Sequence, residues 1–243
     1  MLKSAISGTF VRNSHSHVVN ELGKSIVSGV YKPGTVLPGD AELAARFEVS
    51  RTVLREAMKT LTAKGLVVPK ARIGTRVTPR ITWNLFDADV LNWHLDSGVD
   101  RTFLNHLSEM RLAFEPFAAR LACAKASRQD IDALYTCAEA MRRADSVEAF
   151  ALADLDFHIA LLDASRNPFM YSVGNLIEAA LVTSFRISSP FGQPDRHMTS
   201  AENHRLIVDA ISAGDADAAA KAVEVVIVEG RERVDATVAA ASP

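Results

Sequence analysis

The tightest constraint on the fold lies between Asp40 and Gly65, where two short apolar helical periods are separated by only three residues, Glu48-Val49-Ser50. Asp40 is read as the N-cap of AELAARF, in which Leu43, Ala44 and Phe47 share a face. Ser50 is read as the cap of RTVLREAMKTLTAKG, with Leu54, Ala57, Met58 and Leu61 turned inward and Gly65 closing the helix. So short a link makes the two helices cross as a helix-turn-helix. It leaves Arg51, Thr52, Arg55 and Lys59 on the outer side of the second helix.

The flanking segments complete a unit. Val18, Leu22, Ile26 and Val30, spaced four apart, predict a helix that starts near Ser16 and ends near Gly29, and KPGTVLPG delays the next element until Asp40. After Gly65, LVVP and TRVTP read as strands joined by KARIG, a hairpin that carries Lys70 and Arg72. Charge follows the same layout: the net charge of −2 conceals eight basic residues against one acidic residue between Ser50 and Arg80. A basic face on the second helix, beside a basic wing, suits a recognition helix laid in the major groove of DNA. If these cations merely solvated a surface helix, the helix spacing, the wing and the charge would all have to coincide by accident.

The run LPGDAELAARFEVSRTVLREAMKTLTAKGLV resembles the DNA-binding domain of GntR-type regulators, with its LP-x-E-x-x-LA, S-R-x-x-x-R-E-A and G-L-V steps. The resemblance implies that Ser50, Arg51, Thr52, Arg55, Lys70 and Arg72 face operator DNA. Ala41 stands where some relatives hold a base-reading arginine, so the operator implied here need not match theirs.

From Thr82 onward turn signals thin out, and helices are predicted at roughly 84–96, 101–126, 128–143, 146–165, 168–187, 198–213 and 215–238. Their short connections suit an antiparallel all-α bundle. A length of 243 residues favours two compact units. The expected organisation is a winged helix-turn-helix at 12–80, a linker helix at 81–100 and an all-helical effector-binding and dimerisation domain at 101–238, mainly α overall. With 48% hydrophobic and 23% charged residues the composition is that of an ordinary globular protein. No apolar run reaches the ~18 residues of a membrane span, and the N-terminus lacks the apolar centre of a secretory signal. A cytoplasmic location without a membrane partner is expected. Cys123 and Cys137, with no CxxC motif, suit reduced thiols.

Within the helical region, Asp154 and His158 lie four apart and leave one helix face, while His204 sits on another amphipathic helix. One carboxylate and two imidazoles suit a divalent cation of zinc or nickel type. Glu109-Met-Arg111, Glu115-Pro116, Asp154-x-x-x-His158, Asn167-Pro168, and His204 followed by Ile207, Ala210 and Gly214-Asp215 resemble the FCD ligand domain of the FadR subfamily. The resemblance implies a metal held by Asp154, His158 and His204, with a fourth histidine expected near Val226. Two arrangements remain open: a three-ligand metal completed by water or effector oxygens, which is favoured, or a metal-free pocket whose histidines bind effector directly.

Arg111 is read as the carboxylate partner of an effector, the alternative being a surface salt bridge with Glu115. Arg186 is a second candidate that could equally face a dimer partner. WNLFDADVLNWHL resembles the linker of galactonate-operon repressors of the DgoR type, which implies an aldonate or related sugar acid. The expected protein is therefore a homodimeric DNA-binding regulator, a repressor released by such a carboxylate effector, and not an enzyme. The rival reading is a metal-dependent hydrolase or lactonase built on the helical domain.

Overall fold

The computed structural model describes residues 13–98, 101–191 and 194–241. The chain divides into two compact units, with the boundary in sequence after residue 99. The first contains α1 (Ser14–Val27), α2 (Asp40–Arg46) and α3 (Arg51–Ala63), then an antiparallel hairpin of β1 (Val67–Lys70) and β2 (Gly74–Val77), a 3-10 turn at Arg80–Thr82, and α4 (Ala88–Asp96). Leu22, Ile26, Leu43, Leu54, Leu61, Leu66 and Val77 fill one core. Every one falls on a predicted apolar face or strand, so periodicity alone places this core. Glu48, in the left-handed region at φ 54, reverses the chain between α2 and α3. The Ser50 hydroxyl then accepts from the Val53 amide at 3.2 Å and starts α3 as expected.

Three local readings shift. Helix α1 stops at Val27 because Gly29 turns left-handed at φ 84, which leaves Val30 exposed rather than on the buried stripe. Gly39, not Asp40, is the N-cap of α2; Asp40 opens the helix, where its charge favours the positive N-terminal end. The helix after the wing begins at Ala88 instead of 84, because the Asp87 side chain accepts from the amides of Asp89 and Val90 at 3.0 and 3.2 Å.

The segment after the wing packs into the first unit, with Trp83, Val90 and Trp93 all part of its core. The six-membered ring of Trp93 lies against Gly23 of α1, and the indole Nε1 donates to Asn20 Oδ1 at 2.8 Å. A Cβ at Gly23 would overlap that ring, so Gly23→Ala is expected to destabilise the first unit by about 1–3 kcal/mol through overpacking. A shift in Trp93 fluorescence together with a lowered melting midpoint checks this. An unchanged spectrum would contradict the packing.

The second unit is all helix: α5 (Arg101–Lys125), α6 (Arg128–Arg143), α7 (Val147–Ala164), α8 (Pro168–Ser172), α9 (Gly174–Ile187), α10 (Pro194–Ala213) and α11 (Ala216–Ala241). The single helix expected over 168–187 is broken at Val173 into α8 and α9. Helix α7 is apolar on nearly every side and is therefore central, with α5, α6 and α9 packed around it and α10 and α11 closing the bundle against α6 and α5. Phe150, Phe157 and Leu161 of α7 meet Leu134 and Met141 of α6 and Ile207 and Ile211 of α10 in the second core. Among the described residues neither Cys123 nor Cys137 forms a disulfide. Among the described residues no helix is long and apolar enough to cross a membrane.

Candidate functional site

Two sets of polar side chains stand out, one in each unit. In the first, Arg51, Thr52 and Arg55 are exposed on the opening turns of α3, and Lys70 and Arg72 are exposed on the hairpin. Arg72 takes the left-handed φ of 62 that, with Gly74 at φ 111, closes the wing tip. Arg51, Arg55, Lys70, Arg72 and the exposed Arg76 form no ion pair with any described residue, so their charges stay available to a polyanion. Other cations of the block are engaged. Lys59 pairs with Glu56 at 2.9 Å, and Arg80 lies over the Trp83 ring. Lys64 turns inward to Asp87 and Asp89 at 2.7 and 2.8 Å. Counting charges along the chain could not separate these groups.

The second set is buried. Helix α5 brings Arg111 and Glu115, central α7 brings Asp154 and His158, and α10 brings His204. All five are under a tenth exposed. Arg111 Nε donates to Glu115 Oε1 at 2.6 Å and its Nη2 donates to His158 Nε2 at 3.2 Å. The alternative raised for Arg111 is thus half right: the pairing with Glu115 exists, but in the interior instead of on the surface. His158 Nδ1 lies 2.5 Å from Glu115 Oε2, out of line for a well-formed hydrogen bond. His204 Nδ1 donates to the Ser200 carbonyl at 2.7 Å.

Those second contacts set the rings. A proton on each Nδ1, facing Glu115 and the Ser200 carbonyl, leaves a lone pair on each Nε2. The two Nε2 atoms face each other at 3.3 Å, with Asp154 Oδ1 at 3.3 Å from His204 Nε2 and Asp154 Oδ2 at 3.7 Å from His158 Nε2. One ligand atom from each of Asp154, His158 and His204 falls within 4.8 Å of the others. Asp154 Oδ2 is buried without a hydrogen-bond partner among the described residues. Electron-rich atoms converge here with too few protons between them, an arrangement relieved by a bound cation or by an imidazolium.

Electrostatics reinforce the picture. Burial would raise the Glu115 carboxyl, but the Arg111 charge and His158 outweigh it and hold Glu115 at about 2. Asp154 is likewise lowered: burial opposes its charge, and His204, His158 and Arg111 prevail. A carboxylate depressed in the folded state stabilises above its unfolded pKa, and that stability is lost as pH falls through the folded value. The second unit is therefore expected to lose about 3 kcal/mol between roughly pH 4.5 and 2 on account of Glu115. Acid unfolding followed by circular dichroism checks it, and Glu115→Gln should flatten the profile.

Around this cluster lies a cavity of 30 Å³, enough for water-sized occupants, lined also by Ser184, Phe185, Val226 and Arg233. Val226, where the resemblance expects a fourth histidine, is an apolar wall. Glu115 and Arg233 were not among the predicted site residues. An arginine and a glutamate four apart beside Pro116 gave a signal for Glu115, but nothing in GRERVD singles out Arg233, whose Nε is buried without a hydrogen-bond partner among the described residues. Arg186 falls on α9, and its side chain lies outside the described residues.

Comparison with known proteins agrees with both halves. Residues 14–77 match the model of bacterial regulatory proteins of the gntR family, and residues 106–228 match the FCD domain. The chain is 36% identical over 217 residues to the uncharacterised transcriptional regulator YieP of Escherichia coli K12, covering 87% of this chain and 92% of that one. It is 33% identical over 223 residues to the galactonate operon transcriptional repressor of the same strain, covering 91% and 97%. Among solved structures, that of Lar, which controls the agr system of Listeria monocytogenes, superposes with a TM-score of 0.64 at 21% identity, over 94% of this chain and 99% of that one. The metal-free FCD domain of TM0439 superposes at 0.50 and 17% identity, over 59% and 99%. These two likenesses show the fold alone. Both of these curated relatives are named as transcription regulators, not hydrolases. With a helix-turn-helix and wing presenting exposed cations, followed along the chain by a helical domain of the matching family, the chain belongs to the gntR family of bacterial regulatory proteins that carry an FCD domain and is a DNA-binding transcription regulator.

Proposed function

We propose that this regulator is a repressor released from its operator when a small carboxylate, of the sugar-acid class, enters the cavity of the helical unit, and that Asp154, His158 and His204 hold a divalent cation of zinc or nickel type. The observation that carries the reading is the meeting of Asp154, His158 Nε2 and His204 Nε2 in a buried site, with His204 Nδ1 bonded to the Ser200 carbonyl and His158 Nδ1 turned to the Glu115 carboxylate. A cation there would act as a Lewis acid for effector oxygens, which would complete the coordination that Val226 does not. It would replace the bond from Arg111 to His158. Arg111 and Arg233 supply positive charge for the carboxylate. The sugar-acid class is supported by the 33% identity to the galactonate operon repressor.

On the DNA side, Arg51, Thr52 and Arg55 reach base edges while Ser50, Lys70 and Arg72 position α3 and the wing. Two copies related by a twofold axis would match a palindromic operator, in the cytoplasm where that DNA lies. The cavity of 30 Å³ is far below the roughly 300–1,000 Å³ of a ligand pocket. Effector therefore binds a wider state of the bundle, and that preference is what allows binding to shift DNA affinity.

The test is elemental analysis of purified protein, with thermal-shift screening of sugar acids with and without zinc. Wild type is expected to carry about one divalent metal per chain and Asp154→Ala less than a tenth of that, since loss of a ligand collapses a three-residue site. Undiminished metal in the variant rules out this ligand set.

A further inference from the structure

We propose that Lys64 is not a DNA contact but a positioning residue, the joint that makes the recognition helix α3 and the segment leaving the wing one rigid lever, through which ligand state reaches the DNA reader. In the sequence Lys64 is one more cation of the basic block. In the structure it caps the C-terminal end of α3, only 12% of its side chain is exposed, and its ammonium points away from the outer face.

Three carboxylate oxygens hold it. Nζ donates to Asp87 Oδ1 and Oδ2 at 2.7 and 2.8 Å and lies 2.8 Å from Asp89 Oδ2. The Asp87 carboxylate that takes Lys64 also caps α4, since its Oδ1 accepts from the Asp89 and Val90 amides. One side chain thus ties the end of the reader helix to the start of the next. The Lys64 ammonium also lies over the Trp93 ring at 5.9 Å, and the Lys64 carbonyl accepts from the Asn84 amide at 3.0 Å. Burial works against the charge, but Asp87 and Asp89 outweigh it and raise the Lys64 pKa. A neutral side chain would leave two carboxylates close together without a counter-ion, so the pair of aspartates has a use here that solvation alone does not explain.

The consequence follows from chain continuity. Helix α4 ends at Asp96 and α5, which carries Arg111 and Glu115 of the ligand site, begins at Arg101. Trp93 packs α4 against α1, and the Lys64 clamp adds the direct tie from α4 to the end of α3, so that displacement of α4 is carried to the reader. Transmission requires such a physically connected element. The proposal rests on the reading that ligand state in the helical unit alters DNA binding.

The experiment uses the full chain and a duplex selected by the wild-type protein from a random pool, with Lys64→Met, Lys64→Arg and Asp87→Asn/Asp89→Asn variants. Methionine keeps a stem of similar length, arginine restores the charge, and asparagine retains the cap. Operator affinity, its salt dependence and hydrogen exchange over residues 101–115 are measured with and without the duplex. By linkage, an operator-induced change in exchange there reports coupling without any effector in hand. Lys64→Met should bind the duplex within about threefold of wild type with an unchanged salt slope, yet show under about a fifth of the wild-type exchange response. Lys64→Arg should recover at least about half of that response, and the double aspartate variant should repeat the loss. A salt slope lowered by about one unit would make Lys64 a phosphate contact and overturn the proposal. So would a full exchange response in Lys64→Met, or none in wild type. Failure to bind zinc would count against the proposed metal site and leave these outcomes untouched.

Discussion

Replacing Arg51 and Arg55 together by alanine is expected to abolish discrimination between operator and unrelated DNA while the protein stays folded. Both guanidiniums are exposed on the first turn and a half of α3 and unpaired among the described residues, so neither holds the core together. Surface changes of this kind shift stability by about 0.5 kcal/mol or less. Each bidentate contact to a guanine edge contributes about 1–3 kcal/mol of discrimination, so losing both lowers the specificity ratio roughly 30-fold to well over a thousandfold. Weak, salt-sensitive binding should survive through Lys70, Arg72 and Arg76. Competition gel shifts against random duplex measure the ratio, and an unaltered ratio would refute the assignment of α3 as the reader.

Glu115→Ala should cost about 3–5 kcal/mol, the range for removing one partner of a buried ion pair. Without Glu115, the Arg111 guanidinium stays inside the bundle with His158 Nε2 as its acceptor, and His158 Nδ1 loses the carboxylate beside it. The melting midpoint should fall by roughly 10 °C, at about 2–4 °C per kcal/mol for a chain of this size. The second consequence is functional: the His158 ring loses the group that orients it, so metal retention should weaken by about 10–100-fold. Asp156→Ala, two positions from both Asp154 and His158 but not among the converging ligand atoms, serves as a comparison on the same helix. A Glu115→Ala protein that melts like wild type would show that the pair is not buried as described.

Much of the molecule could be read along the chain, and particular residues show why. The cap at Ser50, the inward faces of α1 to α3 and the i,i+4 spacing of Asp154 and His158 are local facts, set by helical periodicity and short-range hydrogen bonding. The break at Val173 was missed because apolar residues on both sides continue a helical pattern across it. Lys64 could be read along the chain only as one more charge of the basic block, because its partners, Asp87 and Asp89, lie more than twenty positions away.

Order along the chain, with its periods, caps and charge runs, determined by itself that this protein has a winged helix-turn-helix followed by a helical bundle, and which three residues to suspect as ligands. Tertiary structure alone decided that Glu115 and Ser200 face the outer nitrogens of the two imidazoles, that Arg111 is paired inside the bundle, that Arg233 joins the cavity, and that one basic residue of the block turns inward to an aspartate. Whether a charge is free or engaged depends on what lies within a few ångströms of it, because electrostatic and hydrogen-bond energies fall off over that distance, and residues far apart in sequence supply those neighbours.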